Sequence, residues 1–153
     1  MAGDLLLRTV KDMLMTDVNK LLMLREIEDL ILEYAIALDR KDYDLLDNIF
    51  TPDAHVEYLG IGDCHGCDAV KGLVTGVLEQ CAETQHMLSN IRIKLNGDTA
   101  TASCYLQAIH VGKGDHEGQL LTIWGEYLDE LILTDSGWRI SKRQLRTIFS
   151  QGD

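Results

Sequence analysis

The sequence predicts an α+β domain, with about three helices in its first half packed on a β-sheet built from its second half. Three observations carry that reading. Apolar residues recur at helical spacing over residues 18–38 and again over 67–80. After residue 86 the apolar period falls from 3.6 to 2. Two turn signals, Asn96-Gly97-Asp98 and Thr134-Asp135-Ser136-Gly137, cut the period-2 region into hairpins. Helices first and strands afterwards is an α+β order, and a curved sheet wrapped on a long helix would enclose a pocket.

The elements follow in order. Residues 4–15 read as a short extra helix, within an N-terminal segment 1–17, and Asp17 as the N-cap of the next. Over 18–38, Ile27, Leu30, Ile31, Tyr34, Ala35 and Leu38 form one stripe, and Arg25, Glu26, Glu28, Asp29 and Glu33 take the wet face. A short helix at about 42–50 is expected to stop at Pro52. Residues 54–59 alternate as a strand, 60–66 read as a loop, and 67–80 as a helix with Ala69, Val70, Leu73, Val74 and Val77 on one side. Strands are expected at 86–95, 99–111, about 119–133 and 138–149. The single proline and the lack of a linker-like tract make residues 1–153 one domain.

Composition narrows the partners. Twenty-five acidic against 14 basic residues give a net charge of −11, which repels phosphate backbones and anionic lipid surfaces. Neither nucleic acid nor a membrane is therefore an expected partner. No apolar run approaches the ~18 residues of a membrane helix. The N-terminal stretch, broken by Asp4, Arg8, Lys11 and Asp12, lacks the continuous apolar core of a signal peptide. A cytoplasmic location is the expectation, with the four cysteines reduced.

Chemistry concentrates on a few positions. Asp39 lies four residues after Ala35 and so continues the apolar stripe, where a carboxylate needs a partner. Ala100, Ala102, Cys104, Leu106, Ala108 and His110 share one strand face, whose small residues leave space. His86 opens one strand and His110 ends its antiparallel partner, so the two lie near each other. Tyr58 closes the first strand. Four polar groups thus converge at one end of an apolar fold, the profile of a small-molecule site. An Asp–His pair makes a competent base, because the carboxylate fixes the tautomer and stabilises the imidazolium.

The segments "YAIALDRKDYDLLDNIFTPDAHVEY", "TQHMLSN" and "YLQAIH", followed by a terminal hairpin with "SGW", resemble the SnoaL-like branch of the nuclear transport factor 2-like superfamily. Within it the likeness is to scytalone dehydratase-type proteins, over roughly residues 20–149. The resemblance implies a cone: about three helices against a strongly curved, mixed sheet enclosing a pocket. It implies an aspartate that orients a histidine base, at Asp39 and His86, a second histidine at His110 and a substrate- or water-binding tyrosine at Tyr58. The family's second tyrosine falls at Leu38, with Tyr34 one turn earlier. The serine and asparagine that hold the family's substrate fall near Gly125 and Tyr127, so the base machinery is kept while the substrate grip differs.

Other features carry less. Cys64-His65-Gly66-Cys67 lacks the further ligands or second CxxC of a zinc site, so no metal and no cofactor are expected. That loop is expected to cover the pocket, with His65 as a substrate contact and Trp124 as a pocket wall. His55 and His116 read as solvated, and Lys142-Arg143-Gln144-Leu145-Arg146 as a wet strand face from which Arg146 could reach an anionic substrate. The leading function is a cofactor-independent lyase acting on a small cyclic or aromatic hydroxy compound, by dehydration or by retro-aldol loss of a small aldehyde. The alternatives are an isomerase or cyclase of a polyketide- or steroid-like substrate, and a non-catalytic binding module. A homodimer or homotrimer would cover the outer face of the sheet.

Overall fold

Nothing between residues 15 and 18 interrupts a helix, and the computed structural model, which describes residues 2–152, carries one helix, α1, from Ala2 to Asp39. The separate helix expected within residues 1–17 is therefore the first part of α1. Asp17 is a tolerated interior residue there, since a capping residue acts only where backbone N–H groups are unpaired. Ile27, Ile31, Tyr34, Ala35 and Leu38 are buried, as the stripe requires. Residues 3–22 are exposed throughout. No helix among the described residues is long and apolar enough to cross a membrane.

A 3-10 helix, Tyr43–Asn48, leads into β1, Phe50–Tyr58. Pro52 does not end a helix, as expected from sequence, but lies inside β1. It sits where the β1 register shifts between Phe50 and His55, a break that tolerates a residue without an N–H. The segment read as a loop contains a short edge strand, β2, Gly62–His65, paired antiparallel with β1. The turn between them uses Gly60 at φ +82°. The four residues from Gly62 to His65, between Ile61 and Gly66, carry no readable alternation, and it is the pairing with β1 that makes them a strand. Helix α2, Cys67–Leu78, follows and buries Val70, Val74 and Leu78.

The remaining strands are β3, Cys81–Asn96; β4, Thr99–Gly112; β5, Leu120–Thr134; and β6, Gly137–Gln151. They form one six-stranded sheet in the order β2-β1-β6-β5-β4-β3. Only the β1–β6 pair is parallel, so the sheet is mixed. Strand β3 starts earlier than expected because the polar residues after Cys81 pair with the end of β4. Register shifts at Ser89/Arg92, Trp124/Gly125 and Glu130/Leu131 bend the long strands. Ala100, Ala102, Cys104, Leu106 and Ala108 are all buried on the inner face, as their shared parity predicts. The three helical elements, α1, the first 3-10 helix and α2, pack with this curved sheet around one core, giving an α+β cone.

Candidate active site

Asp39 is the last residue of α1, where the helix dipole disfavours a negative charge. Its carboxylate is held by donors from β3. His86 donates its backbone N–H at 2.9 Å to Oδ2 and 3.2 Å to Oδ1, and Thr84 Oγ1 donates at 3.0 Å. The His86 ring approaches through Nδ1, 2.6 Å from Oδ1. Burial by itself pushes the Asp39 carboxyl up, but the bonds from the His86 ring and backbone and from Thr84 outweigh it and leave it below its ordinary value. An ionised Asp39 demands the proton on Nδ1. Nε2 is then the free acceptor of a side chain that is 5% exposed and lines an internal cavity.

His110 stands edge-on to His86, ring centroids 5.5 Å apart, on the same cavity. The register pairs Thr84 with His110 and His86 with Ala108, which makes the two histidines diagonal neighbours across β3 and β4. Burial first, and His86 second, lower the His110 pKa, so the ring favours its neutral form. Its Nδ1 is buried without a hydrogen-bond partner among the described residues.

Tyr34 and Tyr58 share a 2.5 Å hydrogen bond between their hydroxyls, inside the same cavity. Tyr34 stands one helical turn before Leu38. Tyr127 also lines the cavity and meets Tyr34 edge-on at 5.8 Å. Burial raises all three phenols, which favours their protonated form, and one of the Tyr34 and Tyr58 hydroxyls donates to the other. The rest of the wall is apolar, including Leu38, Ile61, Leu73, Val77, Leu106 and Ile123. Gly125 is buried, and a Cβ there would lie 3.0 Å from Leu145 Cδ1 and from the Arg146 carbonyl oxygen, so a side chain at that point needs its neighbours to give way.

The cavity holds about 70 Å³, on the order of two water molecules. Ile61 and Val77, which line the cavity, are also partly exposed to solvent. A larger open hollow of about 480 Å³ lies on the outer face of the sheet among Arg92, Lys94, Glu130 and Lys142, and it is lined by no histidine.

Two expected contacts lie elsewhere. Trp124 does not form a pocket wall. It stacks on Phe149 at 4.4 Å on the outer face, and its neighbour Ile123 supplies the wall, because adjacent strand residues point to opposite sides. His65 does not reach the cavity either, since it projects from the solvent face of β2. Arg146 also faces outward, paired with Glu126 at 2.6 Å.

Sequence reasoning missed the pair beneath the tyrosines. Arg143, read as part of a wet strand face, is fully buried and bonds Asp129 through Nε and Nη2, both at 2.7 Å. Its guanidinium carbon lies 4.3 Å from the Tyr34 ring centroid and 4.2 Å from that of Tyr127. Asp129 and Arg143 are direct cross-strand partners. Asp129 shares parity with Tyr127, so a charge on the inward row, opposite a complementary one across the hairpin, was the available signal.

The sequence profile of the SnoaL-like domain family matches residues 19–144. The uncharacterized protein Rv2910c of Mycobacterium tuberculosis is 34% identical over 120 residues, covering 77% of this chain and 80% of its own. A candidate scytalone dehydratase from Novosphingobium aromaticivorans is 29% identical, with a TM-score of 0.80 over 89% of this chain and 90% of its own. A candidate aromatic ring hydroxylase from the same organism is also 29% identical, with a TM-score of 0.76 over 83% and 90%. The family profile spans most of the chain, and the chain belongs to the SnoaL-like domain family.

Proposed function

We propose that the protein is a cofactor-independent lyase that eliminates water from a small cyclic or aromatic hydroxy compound. The observation that carries this reading is the 2.6 Å contact between His86 Nδ1 and Asp39, which leaves Nε2 as the proton acceptor at an apolar cavity. Nε2 removes a proton from the carbon beside a carbonyl, and Asp39 stabilises the imidazolium that forms. The freed electron pair becomes the new double bond, and the hydroxyl on the adjacent carbon leaves as water, taking the proton held on His86 Nε2. Tyr58, linked to Tyr34, donates a hydrogen bond to that hydroxyl, and His110 lies within reach of the departing water. The same base could instead take a hydroxyl proton and run a retro-aldol cleavage, releasing an aldehyde.

The names of the structural neighbours, a dehydratase and a ring hydroxylase, do not select a reaction by themselves. The oriented base favours proton abstraction. An isomerase built on an aspartate base fits less well, because Asp39 stands behind His86 and does not line the cavity. The small cavity favours a binding module, but the Asp39–His86 bond has no evident purpose in one.

The test offers aryl and alicyclic β-hydroxy carbonyls and aryl-propane diols to wild type and to His86→Ala. New ultraviolet conjugation reports elimination, and released aldehyde reports retro-aldol cleavage. The expected result is turnover that falls by about 10² to 10⁴ in the variant. Turnover untouched by the substitution would remove the dyad from the mechanism.

A further inference from the structure

At the free edge of the sheet, well separated in function from the cavity, three potential ligands converge on the solvent face of the β1–β2 hairpin. His55 and His65 are direct cross-strand partners, and their rings stack in parallel, centroids 4.4 Å apart and planes within 8°. Asp63 lies on the same face of β2, two residues from His65. Its Oδ1 is 2.6 Å from His55 Nε2, and its Oδ2 is 3.5 Å from His65 Nε2. One donor atom from each of the three residues can be chosen so that all lie within 4.8 Å of one another. We propose that His55, Asp63 and His65 form a binding site for a zinc-class divalent transition-metal ion.

The dimensions suit such an ion. Zinc binds imidazole nitrogen and carboxylate oxygen at about 2.0–2.2 Å, which sets neighbouring tetrahedral ligands about 3.3 Å apart. The two Nε2–carboxylate separations, 2.6 and 3.5 Å, bracket that value. The donor set selects the metal class: two imidazoles and one carboxylate suit zinc, nickel, cobalt or copper better than the oxygen-seeking calcium or magnesium. In the parallel stack the two Nε2 lone pairs do not meet, so binding an ion beside Asp63 requires the half-buried His55 ring and the exposed His65 ring to turn out of it. The local charge also favours a cation. Glu57 is the cross-strand partner of Asp63 on this face, and Lys142, the β6 neighbour of His55, reaches away to Glu130 at 3.7 Å. Three protein ligands leave a fourth position for water or for a further donor. Nothing covers the site, so an ion reaches it directly from solvent.

Such an ion would clip β2 to β1 on both sides of the turn that carries Ile61 to the cavity wall. The site would therefore stiffen one lip of the cavity without contributing a group to it. It does not use the cysteines of the same segment, since Cys64 and Cys67 are buried and face inward.

The test titrates untagged, metal-stripped full-length protein with Co²⁺ as a spectroscopic probe, then displaces it with Zn²⁺, and measures the thermal midpoint with and without Zn²⁺. The expected result is one equivalent bound with micromolar affinity, visible d–d bands of a nitrogen–oxygen site, and a higher midpoint with metal. His55→Ala and His65→Ala should each weaken binding by about tenfold or more and abolish the metal-induced rise, while their metal-free midpoints stay near that of wild type. Cys67→Ser should bind as wild type does. Failure to bind at micromolar concentration, binding undiminished in the His55→Ala/His65→Ala double variant, or a thiolate charge-transfer band that disappears in Cys67→Ser would each overturn the assignment.

Discussion

Two carboxylates on the inner side of this cone each hold a basic partner, and the pairs are built for different work. Asp129 and Arg143 form a two-bond ion pair with no solvent access, beneath the tyrosines. Arg143 keeps its proton at any accessible pH, with Asp129 and the rings of Tyr34 and Tyr127 around it. Of Asp39 and His86 only the histidine lines the cavity, one bond links the two side chains, and the partner is an imidazole with a second ring nitrogen. The first arrangement fixes geometry. The second leaves one nitrogen unused, which is the feature a base requires.

The comparison is sharpest where each pair is broken. Arg143→Met strands Asp129 in the core and should lower unfolding stability by about 3–5 kcal/mol in urea titrations. Adding Asp129→Leu to that variant should recover part of the loss, because an apolar pair no longer leaves a buried charge alone. A single variant as stable as wild type would mean the pair is solvated. Asp39→Asn should act differently. The fold should persist, since the side chain is partly exposed, but turnover of any substrate found by the screen should fall about 100-fold or more, because an amide neither fixes the tautomer nor stabilises the imidazolium. Unchanged turnover in a folded Asp39→Asn protein would reduce the aspartate to a helix-end anchor.

Smaller effects should separate the two regions further. Tyr58→Phe removes the hydroxyl that meets Tyr34 and should cost about 0.5–1.5 kcal/mol of stability. It should also lower turnover if that hydroxyl assists the leaving group. The pH dependence of stability should be the mildest signature, and of the two regions compared it belongs to the cavity. His110 has a lowered pKa in the folded state, so stability should decline as pH falls below about 6.5 and level off beneath the folded value. Asp39 also has a lowered pKa, so its contribution is complete above about pH 3.9 and is lost as pH falls through the folded value. His110→Leu should flatten the first limb and Asp39→Asn the second, read as denaturant midpoints across pH. Arg143 should add nothing to either limb.

Much of the cone was legible from residue order. The stripe from Ile27 to Leu38 had to be buried, the small residues of β4 had to share a face, and two turn signals placed the hairpins. These are local properties, because side-chain period follows from backbone geometry. Asp39 and His86 were legible for the same reason: each is out of place in its local pattern, and each needed a partner. Where local pattern is silent, the reading failed. Strand β2 exists because β1 is beside it, and Pro52 sits in β1 because the ladder is interrupted there. Trp124 and Ile123 differ by one residue and face opposite sides, so assigning the pocket wall required knowing which side faces the core.

The sequence by itself determined the α+β order, the buried face of α1, the inward row of β4 and the candidates Asp39 and His86. Tertiary structure alone decided that Tyr34 reaches Tyr58, that Arg143 and Asp129 close on each other in the core, and that His55 and His65 meet over Asp63. The physical reason is range. Periodicity and turn chemistry act between near neighbours in the chain, whereas each of these contacts is set by strand register or by how a helix lies on the sheet. Register and packing are fixed by burying the whole core at once, a condition that no single segment states.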